Sequence, residues 1–209
     1  MLRGLPLLVV LVACGRKDGI DFPDTLGALE VNRAPRIEGE GFPETIVFVA
    51  GKDDGTFWAH GRAYVHGSVD DVFAALQRPA VLVDRREVDE YDVTWDTAPA
   101  YEVSLTLHQT VHDVLTVEYD TTWVMERQQA DASGTTQAVA QWDKTDGTPF
   151  IDLLTGSLVV TSPAPGVAEL EFVAWMEATL RNEETLKSQQ RDLHADIVAA
   201  VAGDELPSY

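Results

Sequence analysis

Cysteine is almost absent from the chain, and this excludes proteins that depend on internal disulfides or on cysteine–histidine metal sites. Cys14 is the only cysteine in 209 residues, so no internal disulfide can form. The five histidines show no metal-ligand spacing with a cysteine. The folded part must therefore be stable through its hydrophobic core alone.

Basic residues are also scarce. The chain has 15 Lys and Arg against 35 Asp and Glu, a formal net charge of −20 at pH 7. Nucleic acid is excluded as a partner, because phosphate binding needs a basic patch. Anionic lipid headgroups would repel the body as well. The acidic excess predicts a solvated surface, and any membrane attachment has to come from something other than a basic face.

The N-terminal apolar run is too short to cross a bilayer. It covers residues 5–12 and follows the positive charge of Arg3, whereas a span needs about 20 apolar residues. A positive charge followed by a short apolar run is typical of an export signal. The run closes with Leu11-Val12-Ala13-Cys14.

These four residues resemble the lipobox of bacterial lipoproteins. The resemblance implies a signal peptide over 1–13, cleavage before Cys14, and acyl chains such as palmitate on the new N-terminal residue. Several acyl chains on one residue make a durable membrane anchor. Gly15 rather than an aspartate follows Cys14. By the sorting rule of enteric bacteria, this implies the outer membrane of the cell envelope, facing the periplasm.

The rest of the chain divides by composition. Residues 14–56 are rich in proline and glycine and are interpreted as a tether and irregular lead-in, with a short strand over 45–50 as an alternative. Residues 57–203 carry sustained periodicity, and 204–209 form a tail. We see no internal repeat.

The periodic region begins with a strand and two short helices. Residues 57–66 are rich in β-prone residues and end at Gly67. Ser68 is a candidate N-cap, and Pro79 stops the helix that follows. Its apolar residues at helical spacing are Val69, Val72, Phe73 and Leu76. A second short helix is predicted over 80–86.

Alternating strands and one long helix complete the region. Six further strands, near 88–95, 103–108, 115–125, 135–143, 150–162 and 167–179, alternate apolar and polar residues. They bring the predicted total to seven. A helix over 182–203 is capped by Asn182 and stopped by Gly203. Its apolar stripe consists of Leu186, Leu193, Ile197, Val198 and Val201.

This order of elements, with the segment 64–79, resembles the helix-grip fold of the START, birch-pollen-allergen and polyketide-cyclase superfamily (SRPBCC). The resemblance implies an α+β domain over 57–203, in which a curved seven-stranded antiparallel sheet wraps around the long C-terminal helix. It also implies a cavity between sheet and helix that takes lipids, sterols or polyketides.

Two other folds are alternatives. Bacterial lipocalins are also lipoproteins that end in a helix, but the helical residues 68–86 interrupt the run of strands that they need. Their glycine-x-tryptophan motif is not matched either, since Gly55 is followed by Thr56-Phe57-Trp58. A lipoprotein-carrier fold, a half barrel over a helix, also remains open.

The candidate ligand-binding residues are those on the apolar side of the alternating strands and on the apolar stripe of the C-terminal helix. They are Leu115, Val117, Tyr119, Trp123, Leu170, Phe172, Met176, Leu193 and Ile197, with Thr121 as a further polar candidate. An apolar lining with few polar groups suits a small-molecule pocket, although the same residues would suit a filled core. The first predicted strand has one face made of polar and aromatic side chains: His60, Arg62, Tyr64 and His66. This face is either a polar corner of the cavity or a surface in contact with water.

The sequence offers no recognisable catalytic or metal site. GxSxG, HExxH and P-loop motifs do not occur. His108 and His112 would lie about 13 Å apart on a strand, too far for one metal. We therefore predict no catalytic residue, no metal and no cofactor.

The sequence leads to three functional hypotheses. The first is a membrane-anchored lipoprotein, a carrier or sensor without catalysis, whose partners are a small hydrophobic ligand and, through acylated Cys14, the membrane. The second is an enzyme like polyketide cyclases or aromatases, with a buried acid and base in the cavity. The third is a scaffold lipoprotein whose acidic outer face, with Glu118 and Asp120, contacts another protein. The oligomeric state is not predicted.

Overall fold

The computed structural model describes residues 22–39, 41–112, 115–132, 134–179 and 181–209. The predicted signal peptide over 1–13 and the predicted acylation site Cys14 lie outside the described residues. Within the described part of the chain, no helix combines the length and the apolar character that a membrane span requires.

An antiparallel sheet and three helices make up the fold. The strands are β1 Ile46–Asp53, β2 Thr56–Val65, β3 Glu90–Trp95, β4 Val103–His112, β5 Thr116–Asp131, β6 Gly134–Gly147, β7 Ile151–Ala164 and β8 Val167–Ala178. Their order in the sheet is β1-β2-β8-β7-β6-β5-β4-β3. The helices are α1 Val69–Leu76, α2 Pro79–Leu82 and α3 Glu183–Ala202. The α+β class and the terminal helix on the sheet are as predicted.

The predicted number of strands is wrong, because the sheet has eight strands and not seven. The additional strand is β1, which pairs with β2 from Ile46↔Ala63 to Asp53↔Thr56. Asp54 and Gly55 form the two-residue turn between them, with φ of 47° and 100°. An Asp-Gly pair is a strong hairpin signal. Proline and glycine elsewhere in 14–56 masked that signal.

The predicted caps of α1 and α3 are confirmed, but the predicted second helix over 80–86 is wrong in extent, because α2 covers only Pro79–Leu82. Ser68 caps α1 by accepting a hydrogen bond from the Asp71 N–H (3.1 Å), and the Asp71 carboxylate accepts one from the Ser68 N–H (2.9 Å). Asn182 caps α3 through the N–H groups of Glu184 and Thr185, and Gly203 ends that helix with a φ of 77°. Both caps satisfy backbone groups that a helix leaves unpaired.

The outer face of the sheet is crossed by an extended segment, residues 22–34, which we call the strap. Leu26 is 2% exposed and packs with Val124 and Val139. Farther along, the Leu29 N–H donates to Ser157 Oγ (3.0 Å) on β7. The Asn32 amide then donates to backbone carbonyls of β2 and β8 (2.9 and 3.1 Å). The strap therefore crosses the sheet from β5 to β2.

His60 on β2 holds the end of the strap. Its Nδ1 accepts from the Arg33 N–H (2.9 Å), so Nε2 carries the proton and donates to Glu30 Oε1 (2.7 Å). The side chain is fully buried, and burial lowers the pKa of His60 despite the opposing effect of Glu30. His60 is thus part of neither a cavity nor a solvated face, because the strap covers it.

Acidification is expected to destabilise the protein through His60. Its folded pKa lies below the unfolded value of 6.5, so the unfolded chain binds more protons and stability falls as pH drops through that value. A proton on Nδ1 would also remove the acceptor for Arg33 N–H. Melting temperatures measured between about pH 8 and pH 5 should fall more steeply for the native chain than for His60→Gln. The control His112→Gln, which lies away from the strap, should keep the native slope; equal slopes in all three would contradict this role.

Candidate ligand-binding site

A cavity of about 440 Å³ lies between the inner face of the sheet and the first half of α3. Its exposed side, the mouth, is marked by Leu115 just before β5, Phe150 just before β7 and Arg181 just before α3. Its lining consists of Glu87, Val111, Leu115, Val117, Tyr119, Phe150, Ile151, Leu154, Met176, Ala178, Thr179, Arg181, Thr185 and Gln189. Most of these side chains are apolar, as is usual in sites for small molecules.

Next to this cavity, a row of paired residues across the sheet combines two large side chains with three very small ones, and the small ones leave space above the sheet. Trp123 on β5 stands beside Trp142 on β6, and Gly156, Ala174 and Ala59 continue the row on β7, β8 and β2. The two indole rings stack with centroids 4.5 Å apart. A Cβ on Gly156 would lie 2.0 Å from the Trp142 ring. Glycine is therefore required for the Trp142 ring to lie over β7.

A smaller space of about 70 Å³, which we call the inner chamber, lies next to the cavity, farther along the strands. Tyr119, Leu154 and Gln189 line both spaces. Beyond them the chamber is lined by Val81, Leu82, Val83, Asp84, Gln109, Thr121, Trp123, Trp142, Ala174, Leu186, Gln190, Asp192 and Leu193. The loop after α2 closes one side of the chamber, and α3 covers it.

The titratable groups of the lining differ between mouth and interior. Arg181 and Glu87 form an ion pair at the mouth (2.8 Å), and both side chains are about one-third exposed. Inside, burial raises the pKa of Tyr119, and the nearby Asp84 carboxylate raises it further. Burial also raises the pKa of Asp84, although the Arg86 N–H donates to its carboxylate (3.2 Å). Burial thus favours the uncharged forms of both groups in the interior.

The structure places the nine predicted ligand-binding residues in three environments. Leu115, Val117, Tyr119 and Met176 line the cavity, and Trp123 and Leu193 line the inner chamber. Leu170, Phe172 and Ile197 line neither space and are 0% exposed. They lie in the other half of the domain, where α1 packs between the sheet and α3.

Several lining residues were not predicted. Phe150, Leu154 and Ala178 lie in predicted strands, and the apolar alternation of those strands was the signal that could have found them. Thr185 and Gln189 lie on α3 outside its apolar stripe, so helical periodicity did not select them. Asp84 falls in the predicted helix over 80–86 but lies in the α2–β3 loop of the structure, as does Glu87.

Comparisons with known proteins define the fold. No family model matches the chain, and no curated protein matches its sequence. Solved structures do match: the human StarD13 (DLC2) lipid transfer and protein localization domain is 8% identical with a TM-score of 0.52, covering 83% of this chain and 89% of that one. This chain has the START fold. Human StAR-related lipid transfer protein 5 is 11% identical with a TM-score of 0.52, covering 82% and 86% of the two chains.

A bacterial START structure is similar to the same extent. The STAR-related lipid transfer protein from Xanthomonas axonopodis, a fragment, is 11% identical with a TM-score of 0.50 and covers 81% of this chain and 96% of its own. The predicted architecture is thereby confirmed at the level of the START fold. At such identities the likeness concerns the fold alone, so function has to be argued from the cavity of this chain.

Proposed function

We propose that this protein is a carrier or sensor that binds a small hydrophobic molecule in the cavity between the sheet and α3, without catalysis. The observation that carries the proposal is the 440 Å³ cavity with its mainly apolar lining. Sites for small molecules occupy about 300–1,000 Å³. The solved START structures named above, described as lipid transfer proteins, support the same class of ligand.

The cavity volume limits the size of the ligand. A volume of about 440 Å³ lies in the lower part of the range of about 300–1,000 Å³ for small-molecule sites. A single acyl chain or a compact polycyclic molecule is of this size, whereas a two-chain phospholipid is far larger. We therefore propose a ligand with one short chain or a compact ring system.

The rim of the cavity supports exchange of such a ligand with an apolar phase. Leu115 and Phe150 are 59% and 37% exposed at the mouth, and exposed apolar side chains that cluster around a site are typical of interaction surfaces. We propose that the lipobox of Cys14 anchors the domain to a membrane of the bacterial cell envelope, with the outer membrane as the expected location. The anchor would keep the mouth close to a source of hydrophobic molecules.

The lining supports binding over catalysis. A cyclase-like reaction needs a general base as well as an acid. The carboxylates of Glu87 and Asp192 are engaged in ion pairs with Arg181 and Arg86, and burial raises the pKa of Asp84 and of Tyr119. Among the described lining residues there is no histidine or lysine. A scaffold role is less supported, because the strap covers part of the outer face and Asp120 is already paired with His108 (2.6 Å).

Blocking the cavity should abolish binding. The test uses the full chain with Cys14→Ser, which removes the acylation site, and the uncharged fluorescent probe N-phenylnaphthylamine. Ala178 lines the cavity, so Ala178→Trp places an indole in the ligand space and should lower probe affinity at least tenfold. Fluorescence titration gives the affinity, and mass spectrometry of solvent extracts identifies molecules that copurify.

The control is Ala74→Trp, which adds the same side chain at an exposed position of α1. It should bind the probe as the parent chain does. Equal binding by both tryptophan variants, or no binding by the parent, would refute the proposed function.

A further inference from the structure

The inner chamber is more polar than the cavity in front of it. Besides Tyr119, the side chains of its lining with polar atoms are Asp84, Gln109, Thr121, Trp123, Trp142, Gln189, Gln190 and Asp192. By contrast, the cavity carries its ion pair at the mouth. A ligand that entered through the mouth would meet apolar walls first and hydrogen-bonding groups at the inner end.

Trp123 supplies an unused donor at this inner end. The side chain is 4% exposed, and its indole Nε1 has no hydrogen-bond partner among the described residues. Buried polar groups are nearly always paired, so the unpaired Nε1–H in the chamber wall is a candidate donor to a ligand group. The chamber volume of 70 Å³ exceeds the volume of about 10–15 Å³ that a single water needs.

Gln109 and Thr121 add a donor and an acceptor beside Trp123. The Gln109 amide donates to Thr121 Oγ1 (2.8 Å), and both side chains are buried. This bond leaves the Thr121 hydroxyl proton and the Gln109 carbonyl oxygen to pair with a guest. Gln190 also has an unpaired buried Oε1, but a Cβ on Gly61 would lie 2.6 Å from that atom. Gln190 Oε1 therefore lies against β2.

The charges around the chamber select against an anion. None of the described residues that line it carries a positive charge. Arg86 lies nearby, but its guanidinium is held by Asp192 in a two-bond ion pair (2.8 and 3.0 Å). A carboxylate or phosphate would therefore lose its hydration here without a counter-ion in the lining.

We propose that the inner chamber receives the uncharged, hydrogen-bonding head of the ligand, a hydroxyl or carbonyl group, while its apolar body fills the cavity. This inference rests on the proposed function and narrows it to a class of ligand. Trp123 Nε1–H and the Thr121 hydroxyl donate to the head oxygen, and Gln109 Oε1 accepts from a hydroxyl. Fatty acids and phospholipids are poor ligands under this arrangement.

Three probes with one chain length test the head group. Dodecanol, dodecanoate and dodecane compete with N-phenylnaphthylamine for the full chain carrying Cys14→Ser, at about pH 8, where the acid is ionised. Dodecanol should bind at least tenfold more tightly than dodecanoate. Trp123→Phe keeps the aromatic ring and removes the N–H. It should weaken dodecanol about tenfold, the effect of one hydrogen bond, and leave dodecane unchanged.

Selectivity separates this role from a structural one. Trp123→Phe also makes a buried, stacked ring smaller, so the melting temperature should fall through lost packing alone. The head-group role is marked instead by an affinity loss confined to dodecanol. Equal affinities for dodecanol and dodecanoate, or equal losses for all three probes in Trp123→Phe, would refute the head-group site while leaving the proposed function intact. Failure of the parent chain to bind N-phenylnaphthylamine at all would instead refute the proposed function.

Discussion

Phe172→Ala is expected to remove a large part of the stability of the domain. Phe172 is 0% exposed on the inner face of β8, in the half of the domain that α1 fills. Truncating a buried phenylalanine costs about 3–5 kcal/mol, against about 5–15 kcal/mol for a typical domain. Chemical denaturation should show this loss, and the melting temperature should fall by about 10 °C.

Leu115→Ala is the matched comparison, because sequence reasoning placed both residues in the ligand site. Leu115 is 59% exposed and lines the cavity, so the change should alter stability by less than about 0.5 kcal/mol. It should weaken binding of N-phenylnaphthylamine instead. If Phe172→Ala weakened the probe and spared stability, the division between core half and cavity half would be wrong.

Gly156→Ala is expected to destabilise the protein, although alanine ordinarily suits a strand better than glycine. The added Cβ would lie 2.0 Å from the Trp142 ring, which is itself stacked on Trp123 and cannot stay in place. Overpacking of this kind costs about 1–3 kcal/mol. Denaturation measures the cost, and a change in tryptophan fluorescence reports the displaced ring.

A double-mutant cycle identifies the cause of that loss. In a Trp142→Ala background the clash is gone, so Gly156→Ala should become neutral or stabilising by about 0.5–1 kcal/mol. Gly27→Ala is the control, because a Cβ there has nothing within 4 Å. A loss that persisted without the Trp142 ring would refute the steric explanation.

Local signals predicted most of the fold. Ser68 and Asn182 each combine a capping side chain with the periodicity that follows, and each helix begins there. Alternation likewise predicted the inner faces of β5 and β8. The strap was not predicted, because single long-range hydrogen bonds hold it, such as those from Asn32 to two strand carbonyls. Such bonds leave no periodic trace in the sequence.

Sequence reasoning predicted which face of the sheet the site lies on, but not which part of that face lines the cavity. Leu170 and Met176 have the same phase on β8, yet Met176 lines the cavity while Leu170 is in the filled half. The difference depends on where α1 packs, and strand alternation carries no information about that. The chamber depends equally on tertiary pairing, since register alone sets Trp142 beside Gly156.

The strap also limits the distance between the folded domain and a membrane in which Cys14 is anchored. At Phe22 the strap is fixed to the domain, because the backbone carbonyl of Phe22 accepts a hydrogen bond from the Tyr101 hydroxyl (2.9 Å). Eight residues lead from Cys14 to Phe22, and a fully extended chain spans at most about 3.6 Å per residue, roughly 29 Å here. That is about the thickness of a bilayer's hydrocarbon core. A domain anchored at Cys14 would therefore work at the surface of its own membrane, and a distant acceptor would have to come to it.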